Sequence, residues 1–546
     1  MVWYSYYIIP IVYLIAMILV GVLVAKKQET RADFYVAGGK MNAGLLFSTI
    51  FSTVVGANTY MGFSGMVYHD GFSMMWLLVA AGSAYFVLFF ISGKIRQIAR
   101  HFEVFTLPDL MALRYSSSVA ILTTLFSLVA LVGGAGGSIL GIGVILHSIL
   151  GIDTTLAILI TSVVTITYTA FGGLMGVALT DWIQSIIMVI GLILVIVFGL
   201  QALSPESTLM NATIIGSEVM QTVLGGNFMS LTESATFMMI MTWAITFLPL
   251  NTISQTQIQR VYSAKNVKTI QRISLLMVWF VALFMAFGLA LVGGIGKALI
   301  PDISNAETIF PVLAMEVIHP WIGIIIVTGI LGACMSTVDS NLLGAGIHVT
   351  RDIYEKNKQR LGKTINEKHT ISITRWTLVT IGVLSTFAAL WTPSIMELLL
   401  LTQKIFAGAT FIPIILGLLW SRANTKGATT GILLGAGATI YCQIISSTID
   451  PVIIGILFSL AGTIIASLIS TEETEKGKQF IYKTINKKDM VFLSIILVGY
   501  IAFLVGVNFV NVWPTLIVIT LIGLLIGVLL LIIYILPRKR KIGEEP

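Results

Sequence analysis

Ala333, Ser336 and Thr337 follow one another at spacing i, i+3, i+4 inside an apolar stretch. On a helix that spacing puts a backbone carbonyl and two hydroxyls on one face. A small hard cation takes a shell of oxygen ligands, and neutral oxygens suit an ion that must also leave. A second source of oxygens lies far away in sequence, where residues 52–59 read STVVGANT within another apolar run. Unwound carbonyls near Ser52 and Val55 would complete such a shell. Spacing alone favours a plainer role, in which Ser336 and Thr337 bond back to carbonyls a turn earlier or hold helices together.

Three charged residues also fall within apolar surroundings. Asp181 follows Thr180 where a helix is expected to open, so it can cap free N–H groups, contact an ion on its path, or do both. Asp339, two residues after Thr337, is turned off the ligand face and is expected in a structural pair. Lys404 lies well inside an apolar run, where an ammonium is costly. It can meet an anionic group of a solute, act as a proton-linked switch, or form a fixed pair with Asp339 or another acid. The polar residues that could surround a solute are Gly56, Asn58 and Thr59 on one side, with Trp243, Asn251 and Gln255 opposite. The six histidines are scattered without metal-ligand spacing, and no phosphate-binding glycine loop with its lysine is present.

The elements that must position these residues are transmembrane helices. Hydrophobic residues make up 57% of the chain and charged ones 10%, far from the balance of a soluble domain. Apolar blocks of spanning length recur about fifteen times. The first, 5–26, reads as a retained helix rather than a signal peptide. Both cysteines, Cys334 and Cys442, lie in apolar segments, which excludes a disulfide framework. The formal charge of +7 comes from bases scattered among short loops, which points to membrane orientation and not to nucleic acid. With the N-terminus outside and the C-terminus inside, the inner loops collect Lys94, Arg96, Arg114, Arg260, the run 351–368 and the tail 538–541. The outer loops then hold only Lys297.

Helix breakers recur at matching places. Residues 52–59 interrupt the second segment, and 248–255, reading LPLNTISQ, interrupt the seventh. Each is the first helix of a group of five, and paired interrupted helices in corresponding halves are a pointer to an inverted-repeat transporter. Glycine and proline are also simply common in membrane helices.

Several motifs resemble the sodium/solute symporter family, which includes proline, pantothenate, monocarboxylate and sugar symporters. FYVAGGK at 34–40, TYTAFGGLMGVALTDWIQ at 167–184, QIQRVYSAK at 257–265, MSTVDSNLL at 335–343 and WSRANTKGA at 420–428 carry the likeness over most of the chain. The resemblance implies an all-α polytopic membrane protein with a five-plus-five inverted-repeat (LeuT-like) core. Residues 1–42 would form an N-terminal extra helix and first cytoplasmic loop, 43–203 the first repeat, 204–232 an extracellular loop, 233–420 the second repeat, and 421–546 accessory helices with a basic tail. Alignment on GFSG at 62–65 implies a sodium site made of Ser52, Val55, Ala333, Ser336 and Thr337, in agreement with the spacing. In similar symporters the position of Asp181 lies near the sodium exit path or a second sodium site.

The expected activity is sodium-coupled import of a small organic solute by a plasma-membrane monomer, not an enzyme. Val54 and Thr59 at places where the family's sugar carriers differ argue against a sugar, and the third core helix lacks an arginine for acidic sugars. A monocarboxylate or an amino acid is favoured. The alternatives are a proton-coupled carrier using Lys404, or a transporter-like sensor.

Overall fold

The computed structural model describes residues 8–56, 58–204, 209–231, 233–391, 395–447 and 449–470. The expected segments at 490–510 and 513–536, and the basic tail, lie outside the described residues. Among the described residues the structure is helical, and extended pairing is confined to an isolated bridge between Met41 and Ala264. Nine helices there are long and apolar enough to cross a membrane, or ten if one bent pair counts as a single span.

Helix α1 (Ile8–Ala25) shows how the apolar solvent shapes the molecule. Tyr13, Met17 and Val24 face inward, while the equally apolar Ile8, Val12, Ile15, Leu19 and Leu23 face out. A helix that is apolar on both faces is at home between protein and lipid.

The second segment is broken. Helix α2 (Ala43–Val54) starts at Asn42, whose side chain accepts the Leu45 N–H. It stops at Val55, which leaves helical geometry with φ −98° and ψ 69°. The chain resumes as a π-turn over Asn58–Phe63 and continues as α3 (Ser64–Asp70). The break falls on the stretch the sequence marks, and it frees carbonyls that a continuous helix would use.

Helices α4 (Trp76–His101), α5 (Leu107–Arg114) and α6 (Ser117–Leu150) follow. Helix α7 (Thr154–Leu203) covers two expected segments and is kinked at Gly173, with φ 51° and ψ −161°. A side chain there would be strained and would meet the Phe34 carbonyl oxygen at 2.9 Å, so glycine is required. Helix α8 (Leu209–Met229) occupies the long expected loop.

The seventh segment also breaks. Helix α9 (Phe237–Ile253), with Pro249 inside, meets α10 (Gln255–Ser263) at a bend of 44° around Ser254. Helices α11 (Val267–Trp279) and α12 (Ala286–Leu299) flank a π-turn over Phe280–Met285. Helix α13 (Pro320–Ile347) then packs against α2, α6 and α7 and passes into a π-turn over His348–Glu355. Helices α14 (Glu367–Trp391), α15 (Ile395–Leu419), α16 (Thr425–Ile444) and α17 (Pro451–Ile469) complete the set.

The basic residues assigned to inner loops are not simply loop charges. Arg114 is buried and donates to the carbonyls of Gly417, Trp420 and Ala423, satisfying the end of α15. Arg260 is fully buried within α10. A guanidinium can bind several carbonyls at once, so hydropathy alone misplaces it.

Candidate cation and solute site

The break after α2 lies against the middle of α13. The Ser336 hydroxyl is 2.8 Å from the carbonyl oxygens of both Ser52 and Ala333. The Thr337 hydroxyl is 3.3 Å from the Thr53 carbonyl and 3.4 Å from that of Ala333. Each hydroxyl has one proton for two carbonyls, so the junction holds more acceptors than donors. These are the contacts of the plainer role as well, since both hydroxyls bond back one turn to Ala333 and tie α13 to α2.

Gly56 makes this approach possible. A Cβ on it would stand 2.4 Å from Thr337 Oγ1, a distance no side chain tolerates. Val55 is buried and lines the adjoining cavity, while the carbonyl that meets Thr337 belongs to Thr53, two residues earlier. The sequence points to the carbonyls of Ser52 and Val55 but not to that of Thr53, because which carbonyl faces α13 depends on where the helix breaks.

Asp181 does not cap a helix, since α7 runs on through it from the Gly173 kink. It is fully buried, accepts a hydrogen bond of 2.5 Å from Thr49, and adjoins the Ser52 side chain. Arg260 Nη2 lies 3.9 Å away. The same guanidinium donates to the Thr49 and Thr256 carbonyls, to Thr53 Oγ1 at 2.7 Å and to Ser340 Oγ at 2.5 Å. Asp339 receives the Tyr168 hydroxyl at 2.7 Å and that of Ser340 at 3.2 Å. One buried carboxylate, Asp181, thus lies near the arginine beside the oxygen junction, while Asp339 connects to it only through Ser340.

A cavity of about 460 Å³ opens on the other side of Thr337. Gly56, Thr59, Trp243, Asn251, Gln255 and Lys404 all line it, so the structure gathers residues from three distant stretches of chain. The Asn58 side chain lies outside the described residues. Asn251 donates to the Ala81 carbonyl, and Gln255 Oε1 accepts from the Leu107 N–H, while Gln255 Nε2 has no hydrogen-bond partner among the described residues. Asn341 and Gln403 join the wall without having been singled out.

Lys404 is paired. Its Nζ lies 2.8 Å from Asp450 Oδ2, and both side chains line the cavity. Asp450 Oδ1 also accepts the Val452 N–H and so caps α17. An acid followed by proline at a helix start is a visible capping signal, but only the fold shows that it faces Lys404.

The chain is similar to known transporters. The Escherichia coli sodium/pantothenate symporter is 26% identical over 481 residues, covering 85% of this chain and 96% of its own length. The Staphylococcus aureus (strain NCTC 8325 / PS 47) sodium/proline symporter is 25% identical over 515 residues, covering 90% and 96%. A Na+-coupled sialic acid symporter, solved substrate-bound and outward-open, superposes with a TM-score of 0.71 at 21% identity over 86% of this chain and 99% of that one, which shows a shared fold. A nucleobase-cation-symport-1 family transporter in a closed conformation gives 0.55 at 14% identity, over 83% and 98%. The sodium:solute symporter family model matches residues 34–435, and with a broken helix, an oxygen-rich junction and a cavity beside it, this chain belongs to that family.

Proposed function

We propose that this protein imports a small organic solute together with sodium by alternating access, with residues 43–203 and 233–420 as inverted repeats. Sodium would sit among the carbonyls of Ser52, Val55 and Ala333 and the hydroxyls of Ser336 and Thr337, with Thr53 as a further oxygen. The solute would occupy the cavity lined by Gly56, Thr59, Trp243, Asn251, Gln255 and Lys404. Asp181 would lie on the path by which the ion leaves.

The observation that carries this reading is the shared wall. Thr337 touches the oxygen junction on one side and the solute cavity on the other. A cation that fixes α2 against α13 therefore also fixes one wall of the cavity. Coupling requires only that both ligands favour the same conformations. The loop charges support an outside N-terminus and an inside C-terminus in the plasma membrane, and the single-chain site is consistent with a functional monomer.

Uptake into proteoliposomes tests the proposal. A panel of labelled amino acids and short carboxylates should enter under an inward sodium gradient. Equal uptake under a potassium or proton gradient would refute sodium coupling. Ser336→Ala with Thr337→Ala should raise the sodium concentration for half-maximal uptake by about tenfold or more, equivalent to roughly 1.4 kcal/mol.

A further inference from the structure

Among the described residues that line the cavity, only Lys404 and Asp450 carry charge; the rest of the wall is hydroxyl, amide, aromatic or aliphatic. Any charged group on the solute must therefore be met by this pair, by dipoles or by the neighbouring sodium, and a solute ammonium only by the pair or by dipoles. The two side chains are 18% and 19% exposed, so their charges lean on one another and only slightly on water.

The two partners differ in how tightly they are held. Asp450 is fixed at the start of α17, where its carboxylate caps the Val452 N–H and faces the positive end of the helix. Lys404 reaches it from α15 on a flexible four-carbon stem. The ammonium can turn towards the cavity while the carboxylate stays in place.

Charge balance then sorts the possible solutes. A plain carboxylate that draws Lys404 away leaves Asp450 partly buried and unpaired, which is strongly unfavourable. A plain amine does the reverse. A neutral polar solute can hydrogen-bond to the pair but replaces neither charge. A solute with a carboxylate and an ammonium a few bonds apart replaces both halves of the pair at once, and neither protein charge is stranded. The remaining wall, with Trp243, Phe247 and Leu250, offers an apolar surface for a side chain. We propose that the Lys404–Asp450 pair reads the charge of the solute and selects a zwitterion of the amino-acid class over carboxylates or amines with one charge. This rests on the cavity being the solute site, and it narrows the monocarboxylate-or-amino-acid expectation to the latter.

The test is thermal melting of the full chain in detergent with saturating sodium. Each of the twenty common amino acids is added at one concentration. Every amino acid that stabilises is then compared with its decarboxylated amine and its deaminated acid. At least one amino acid should raise the melting temperature, and both of its one-charge analogues should need at least tenfold higher concentration. Asp450→Asn should move the preference towards the acid by tenfold or more, and Lys404→Met towards the amine. An acid or amine that matches its parent amino acid in the unaltered protein would overturn the proposal. So would the absence of a shift with every amino acid, or variants that fold yet keep the original order. If the variants do not fold, the analogue comparison in the unaltered protein decides alone. Melting with sodium against choline, without solute, reads the sodium site separately. Loss of that shift with zwitterion selection intact would count against sodium coupling and leave this inference standing.

Discussion

Two polar regions of the molecule are built on opposite principles. Between α2 and α13 the ligating groups are neutral carbonyls and hydroxyls, with more acceptors than donors. Around the π-turn over His348–Glu355 the groups are ions. There Arg351 pairs with Asp109 at 3.0 Å and Glu355 at 2.8 Å, Lys356 pairs with Asp109 at 2.9 Å, and Arg31 reaches Glu355 at 2.6 Å. His348 ties the ionic region to the cavity wall, its ring nitrogens lying 2.8 Å from Ser127 on α6 and 2.7 Å from Asp352. Neutral oxygens hold a monovalent ion loosely enough to let it go, whereas opposed charges in a dry setting hold their own chain together. On the proposed function, the difference separates a place where an ion would bind and leave from a place where elements are clamped.

Arg260 stands between these designs, a buried cation near Asp181 and linked to Asp339 through Ser340 beside the neutral junction. Arg260→Met leaves Asp181 without its buried cation and should cost about 3–5 kcal/mol, the largest effect expected. The measure is melting temperature and membrane yield, and Asp181→Asn in the same chain should restore part of the loss. An unchanged melting temperature would mean that Arg260 carries no compensating role.

Gly56→Ala strikes the neutral junction without touching a charge. Its Cβ would meet Thr337 Oγ1 at 2.4 Å, and forcing the helices apart should cost about 1–3 kcal/mol. The damage should appear chiefly as a rise of about tenfold or more in the sodium needed for half-maximal uptake, since 1.4 kcal/mol is a factor of ten. Equal losses of sodium-free stability and sodium response would erase the distinction between binding and clamping at this place.

The sequence made the neutral region readable and left the ionic one obscure, for physical reasons. Ser336 and Thr337 are adjacent on one helix turn, and the break after Val54 is marked by consecutive β-branched residues and a glycine. Those are local patterns, and local patterns survive in one dimension. The clamp joins residues as far apart as Arg31, Asp109 and Arg351, and nothing in their neighbours announces the pairing. The same holds for Lys404, whose oddness was visible but whose partner, Asp450, lies 46 residues on. Counting Arg260 as a loop charge failed because positive-inside reasoning sees a base near a helix end and cannot see the carbonyls waiting for it.

Arg351→Met removes the hub of the clamp while leaving the oxygen junction intact. Arg31 and Lys356 remain beside the acids, so the loss should be about 1–3 kcal/mol, below that of Arg260→Met. It should lower the melting temperature and leave the sodium requirement of uptake within about twofold, the reverse of Gly56→Ala. A shift in sodium requirement as large as that of Gly56→Ala would show that the two regions are not separable.

The smallest expected effect is a pH dependence confined to the clamp. Burial alone would push the Asp109 carboxyl up, but Arg351 and Lys356, with the Phe105 N–H, outweigh it and hold it below its ordinary range. A carboxylate depressed in the folded state stabilises fully at pH values above its unfolded value and loses that contribution as pH falls through the folded one. Melting temperature should therefore decline as pH is lowered from about 5 towards about 3, and the Asp109→Asn protein should decline less steeply because it has no such proton to take up. Equal slopes would show that Asp109 is not held ionised by its two cations, and the clamp would then owe its stability to hydrogen bonds rather than to charge.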